Sequence, residues 1–305
     1  MSQHSLDFDA LARRLHDLIL GPAAAELQAR TNLVIVPDGP LWDVPFQAFE
    51  PGPRHYVIET HAVSYAPSLT ALREMSKHSR VSPGRPGAGG TLLALGNPAL
   101  SAQTTSEIKE VFMDADLAPL PRAETQVREL ARIYGPAQSK IYTGTEASED
   151  RLKSEAPGAG VLHIAAHGIV NNTSPMYSQL VLSRGEGSQD DGVLETWEIM
   201  NMELKADLVV LAACDTARGR YGAGEGMIGL SWAFFIAGCP TTVVSQWSVE
   251  SESTSRLMVE FHRNLRLGLS RAEALRRAEL KLLKGEPRYR DPFYWAPFVV
   301  IGAGN

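Results

Sequence analysis

Two short stretches place a thiol and an imidazole at matching points. Val161–Ala165 (VLHIA) runs into Ala166, His167 and Gly168; LVVLAA, residues 208–213, runs into Cys214 and Asp215. Each apolar run predicts a buried strand, and each ends on a group that can attack a carbonyl or move a proton. His167 precedes Cys214 by 47 residues, room for a hairpin, a helix and a return strand. A free thiol ionises near pH ~8.5 and is only a few per cent thiolate at neutral pH. A neighbouring imidazolium raises that fraction. The thiolate would attack a peptide carbonyl, and the imidazole would protonate the leaving amine and then help water release the acyl group. The backbone amides of Gly168 and Cys214 are the natural oxyanion donors. On pattern alone two readings stay open: a packing cysteine beside a His-Gly turn, or a nucleophile beside its base.

The elements that must position these groups follow from periodicity. Residues 6–30 predict a helix broken at Gly21-Pro22, and residues 33–36 a strand before the turn Pro37-Asp38-Gly39-Pro40. Residues 56–68 predict strand, turn, strand, and residues 81–90 (VSPGRPGAGG) a linker. The strand at 91–95 is stopped by Gly96-Asn97-Pro98, and residues 101–121 read as a poorly ordered surface excursion. Further strands are expected at 141–142, 161–165, 180–182, 208–213 and 241–245, with 298–301 closing the sheet. Helices are expected at 124–134, 148–155, 227–237, 253–265 and 271–283, with a helical turn at 197–200. Gly238 and Pro240 stop one helix, and Ser270 with Glu273 forms a capping box for another. This alternation predicts an α/β fold: a mostly parallel sheet flanked by helices, its functional groups at the carboxyl ends of the strands.

Composition narrows the function classes. The 305 residues are 44% hydrophobic and 21% charged, enough for a sizeable core. A net charge of −6 argues against direct nucleic-acid binding. There is no run of 18 apolar residues for a membrane span and no apolar signal core in MSQHSLDFDALARRL. Two cysteines without a CxxC pair fit a reducing compartment, so a cytoplasmic location is expected. No metal-ligand spacing is seen among the eight histidines, and no metal or cofactor is expected. Asn171-Asn172-Thr173 matches a glycosylation pattern that has no meaning without secretion.

Three other matches fail on context. Gly224 to Gly229 fits GxGxxG but stands about ten residues from its strand, so it reads as a flexible loop opening a buried helix. Ser231 lies near a GxSxG pattern that lacks its last glycine and falls inside a helix. Cys239, between Gly238 and Pro240, and His163, inside its strand, read as core residues.

The chain resembles the CHAT-domain family of caspase- and separase-like cysteine peptidases. The resemblance runs through LVIVPDGPLWDVPFQAF, YVIETHAVSYAPS, LLALGNP, VLHIAAHG, ADLVVLAACDTARG, GEGMIGLSWAFFIAG, VVSQWSV and FYWAPFVVIG. It implies a caspase-like three-layer fold, with an N-terminal pseudo-protease half (1–120) and a C-terminal catalytic half (121–305). It places the family's histidine on His167 and its cysteine on Cys214. It implies an endopeptidase of bacterial signalling or antiviral defence, acting on a protein substrate such as a co-encoded effector and gated by a repeat-protein regulator. Separase-like relatives carry an aspartate after the Trp-x-Val segment for a basic substrate residue. Here Trp247-Ser248-Val249 is followed by Glu250 and Ser251, with Ser251 at the matching position. Asp215, Glu225 or Glu250 would then supply the charge, unless Glu250 or Glu252 caps the helix that follows. The glycine-rich loop 218–226 is the expected moving part. The rival expectation is a non-catalytic caspase-like scaffold that binds partners.

Overall fold

The computed structural model describes residues 3–78, 90–113, 115–171, 174–212, 214–215 and 225–304, with the backbone alone for 3–7, 214–215 and 225–228. Residues 81–89 of the expected linker (81–90), Asn172-Thr173 of the glycosylation pattern and residues 218–224 of the expected glycine-rich loop (218–226) lie outside the described residues.

Twelve strands occur among the described residues: β1 (Asn32–Ile35), β2 (Ala62–Tyr65), β3 (Leu92–Pro98), β4 (Ser139–Gly144), β5 (Val161–Ala165), β6 (His167–Ile169), β7 (Gln179–Val181), β8 (Val193–Glu195), β9 (Leu208–Leu211), β10 (Cys214–Asp215), β11 (Thr241–Ser245) and β12 (Phe298–Gly302). Eight build one sheet in the order β1-β2-β12-β11-β9-β5-β3-β4, and four build a second in the order β10-β6-β7-β8. In the large sheet β4, β3, β5, β9 and β11 are mutually parallel. β12 pairs antiparallel with β11, and β2 and β1 follow β12 in parallel. β12 therefore sits inside the sheet rather than closing its edge as expected. Strands from the first 120 residues are interleaved with later ones: β1 and β2 form one end, while β3 lies between β5 and β4.

Alternation along the strands creates three layers. Leu93, Leu95, Leu162, Ile164, Val209 and Leu211 face one core; Leu92, Ala94, Val161, Ala165, Leu208 and Val210 face the other. The helices are α1 (Gln3–Leu15), α2 (Ala24–Leu27), α3 (Leu69–His78), α4 (Ala102–Val111), α5 (Pro121–Tyr134), α6 (Glu149–Glu155), α7 (Thr196–Met200), α8 (Glu225–Ile236), α9 (Ser251–Arg266), α10 (Arg271–Leu283) and α11 (Pro292–Trp295). Leu152 of α6, Ile199 of α7 and Leu230 and Phe234 of α8 cover the first face. Leu130 of α5, Leu257 and Phe261 of α9 and Leu275 of α10 cover the second. Each such side chain, buried fully, contributes about 1.5–3 kcal/mol by transfer from water. α8 ends where Gly238 adopts φ +108°; a Cβ there would come within 2.7 Å of the Leu204 carbonyl.

Several elements differ from expectation. Residues 57–59 form a 3₁₀ turn instead of a strand, because the Glu59 side chain accepts from the Tyr56 amide at 3.0 Å and locks a capping box. Residues 101–113 and 115–121 are not the poorly ordered surface excursion that was expected. Ser101 caps α4 by accepting from the Thr104 amide at 3.0 Å, and Ile108 and Ala115 pack on Ile169 and Val181 of the small sheet.

The small sheet is also held by charge. Lys153 Nζ lies 2.6 Å from Glu149, 2.9 Å from Asp190 and 2.9 Å from Glu198, tying α6, the β7–β8 connection and α7 together. Glu149 is buried, and burial raises its pKa above the ordinary value against the pull of Lys153. Lys153→Met strands that carboxylate. We expect a stability loss of about 2 kcal/mol in urea unfolding at pH 7, below the fully buried case because Lys153 is partly exposed, with part regained on adding Glu149→Gln. An unchanged unfolding midpoint would contradict this assignment.

Candidate active site

The parallel ladder between β5 and β9 sets the geometry. Val161 pairs with Leu208 and Ile164 with Leu211, and beyond Ala165 and Leu211 both chains pass from the large sheet into the small one. There β6 and β10 pair in parallel, His167 opposite Cys214 and Gly168 opposite Asp215. The partners differ by 47 in number in both ladders, so the register is carried unbroken across the gap. Adjacent strands lie about 4.8 Å apart, which sets the backbones of His167 and Cys214 side by side. β11 is the next strand beyond β9, with Thr242 opposite Val209.

His167 is 4% exposed. Its Nε2 lies 2.8 Å from the Ala118 carbonyl, and its Nδ1 has no hydrogen-bond partner among the described residues. A carbonyl only accepts, so Nε2 carries the proton and Nδ1 holds the lone pair. Burial lowers the pKa of the imidazole below its ordinary value; the Ala118 carbonyl, and then Asp116, oppose this. Burial thus favours the neutral ring, with its lone pair on Nδ1.

Asp215 stands in register with Gly168, and Glu225 is the first residue of α8; only their backbones are described. Trp247 donates from Nε1 to the Phe293 carbonyl at 3.3 Å. Glu250 caps α9, its Oε2 accepting from the Ser253 amide at 2.7 Å, and Ser251 is the exposed first residue of that helix. Glu252 is engaged by Arg256 and Arg288, each at 2.9 Å. Gly168 is central in β6, opposite Leu180 of β7.

Cys239 and His163 are core residues. Cys239 Sγ donates to the Thr241 carbonyl at 3.2 Å, and burial pushes its thiol up to about 12. Ser231 is buried in α8. Among the described residues, no group of three or more His, Cys, Asp or Glu could hold a metal, and no helix is long and apolar enough to cross a membrane. The Ala118 carbonyl went unread at the sequence level. Its signal is Ala118-Pro119-Leu120-Pro121, two prolines that restrict the residues before them just ahead of a helix.

A mostly parallel sheet between helix layers, with a histidine and a cysteine delivered by neighbouring strand ends, defines an α/β protein of the caspase-like fold class. Solved structures share it. Separase of Saccharomyces cerevisiae in its complex with securin matches with a TM-score of 0.52 at 15% identity, over 85% of this chain and 15% of that one. The complex of pro- and mature domains of Porphyromonas gingivalis RgpB matches with a TM-score of 0.54 at 9% identity, over 97% of this chain and 68% of that one. The chain belongs to the CHAT domain family, whose profile matches residues 9–303. Tetratricopeptide repeat protein 28 of Mus musculus is 26% identical and that of Homo sapiens 25% identical, each over 338 aligned positions covering 95% of this chain. The chain spans 13% of the length of those relatives.

Proposed function

We propose that the chain is a cysteine endopeptidase acting on protein substrates through a His167–Cys214 dyad. The supporting observation is the β6–β10 pairing of His167 with Cys214 at the carboxyl ends of β5 and β9. In this reading the Cys214 thiol attacks the scissile carbonyl while Nδ1 of His167 takes its proton. The imidazolium so formed, steadied by the Ala118 carbonyl, gives that proton to the leaving amine. A water, deprotonated at Nδ1, then cleaves the thioester and frees the thiol. We assign the Gly168 and Cys214 amides as donors to the oxyanion. No cofactor takes part.

We further propose that the catalytic residues belong to a half spanning 121–305, and that a repeat protein gates the enzyme in the cytoplasm. The relatives that the chain matches are themselves named for tetratricopeptide repeats. A substrate co-encoded with the protease, in bacterial signalling or antiviral defence, fits the same scheme. One observation favours a second reading, a scaffold with an idle dyad: His167 is almost wholly covered. A denatured-proteome digest separates the two. The dyad reading expects new peptide termini with the parent chain and none with Cys214→Ala; identical termini from both would refute it. The aligned termini also reveal whether a basic residue precedes the cut.

A further inference from the structure

Asn97 is bound up with the orientation of His167. It is the residue at which the β3–β4 ladder shifts register, between Gly96 and Pro98, and it is held at φ +52°, a left-handed conformation uncommon outside glycine. Asparagine tolerates that conformation better than most residues. Its Oδ1 accepts from the Leu120 amide at 2.6 Å, and its Nδ2 donates to Glu124 Oε2 at 3.2 Å. The side chain therefore clamps the entry to α5 at two points. Glu124 is in turn held by Arg128, at 2.8 Å.

Leu120 is joined to Ala118 through Pro119, whose ring fixes φ and keeps Ala118 from the helical region that a residue before proline disfavours. That stiff link ends on the carbonyl that receives Nε2–H of His167. Gly96 lets the clamp close: a Cβ there would come within 2.8 Å of the Ala123 carbonyl and of Val127. Strained residues that persist are commonly held for a functional geometry.

We infer that Asn97 is a positioning residue: through Leu120 and the Pro119 link it sets the Ala118 carbonyl, and so the ring of His167. The inference rests on the dyad reading for its catalytic consequence, but not for its geometric one.

Two variants test it. Asn97→Gly keeps φ positive without strain and removes both clamp bonds. The pair Asn97→Asp with Glu124→Gln exchanges acceptor and donor and keeps the clamp. Two readouts are taken, the exchange rate of the His167 imidazole N–H proton by NMR and the separate kcat and KM for a peptide identified in the digest. In Asn97→Gly the N–H proton should exchange at least about tenfold faster. Its kcat should fall about tenfold to a hundredfold with KM unchanged. The paired variant should restore both. An unchanged exchange rate in Asn97→Gly would overturn the inference. Equal losses in both variants, tracking a fall in unfolding midpoint, would also overturn it, since they mark a role in folding alone. If Cys214→Ala leaves cleavage intact, the dyad reading falls, while the exchange rate still decides the placement of Asn97.

Discussion

His167→Ala is expected to lower kcat/KM for peptide cleavage by about 10³-fold or more, and Cys214→Ala to remove it to background, with both variants folded. The two losses differ in kind. Without Cys214 no acyl-enzyme forms. Without His167 the thiol remains but loses its proton acceptor, so the residual rate should climb with pH towards the ordinary thiol ionisation near ~8.5. The parent chain should behave differently. Burial holds the His167 pKa below its ordinary value of 6.5, so the imidazole stays a competent base into mildly acidic solution. The acid limb of kcat/KM should therefore fall below pH 6.5. A pH–rate profile checks this; an acid limb at or above pH 6.5, or His167→Ala retaining full activity, would contradict it.

The second large effect concerns stability in acid. His163 of β5 and His262 of α9 are fully buried, with His163 Nδ1 and His262 Nε2 at 3.1 Å. The outer nitrogens meet Gln126 at 3.1 Å and the Tyr134 hydroxyl at 3.0 Å, and the Arg266 guanidinium stacks on the Tyr134 ring. Burial pushes the His163 pKa down to about 3 and that of His262 well below 6.5; His163 adds to the latter shift. The unfolded chain therefore binds more protons than the folded one between about pH 3 and 6.5, and stability falls as the pH drops through that window. Two pH units below 6.5, His163 alone accounts for about 3 kcal/mol. Glu50 and Glu149, whose pKa values burial also raises, oppose this trend, and so does Glu279. It is buried and its pKa is raised well above the carboxylate range, so its stabilising protonated form is gained as the pH falls. Urea unfolding midpoints at pH 7 and pH 4.5 should show a net fall, steeper in Glu279→Gln, where one of the opposing groups is gone. A flat or rising midpoint in Glu279→Gln would contradict the assignment.

The central elements were legible because their residues answer to a single requirement. VLHIA, TTVVS and residues 271–283 carry full apolar patterns or clear caps, and β5, β11 and α10 begin and end as expected. The placing of His167 beside Cys214 was legible for the same reason, since parallel neighbours keep register. What stayed hidden depends on partners distant in sequence. Residues 101–121 have no strong period, and their order comes from packing against Ile169 and Val181, which no local pattern announces. The 3₁₀ turn at 57–59 carries strand-like residues overruled by one side chain, Glu59. The small sheet is built from segments of two or three residues, too short to show alternation. Asn97 looked like the end of a strand; its bond to Leu120, 23 positions later, exists only in the fold.

The dyad is tested most directly by a peptidyl electrophile that alkylates cysteine, followed by mass spectrometry of the labelled residue over a range of pH. The account predicts one adduct, on Cys214 and not on buried Cys239, formed rapidly at neutral pH and slowed by His167→Ala to the pace of a free thiol. Labelling of Cys214 that is indifferent to His167, with the same rate and the same pH dependence, would contradict it.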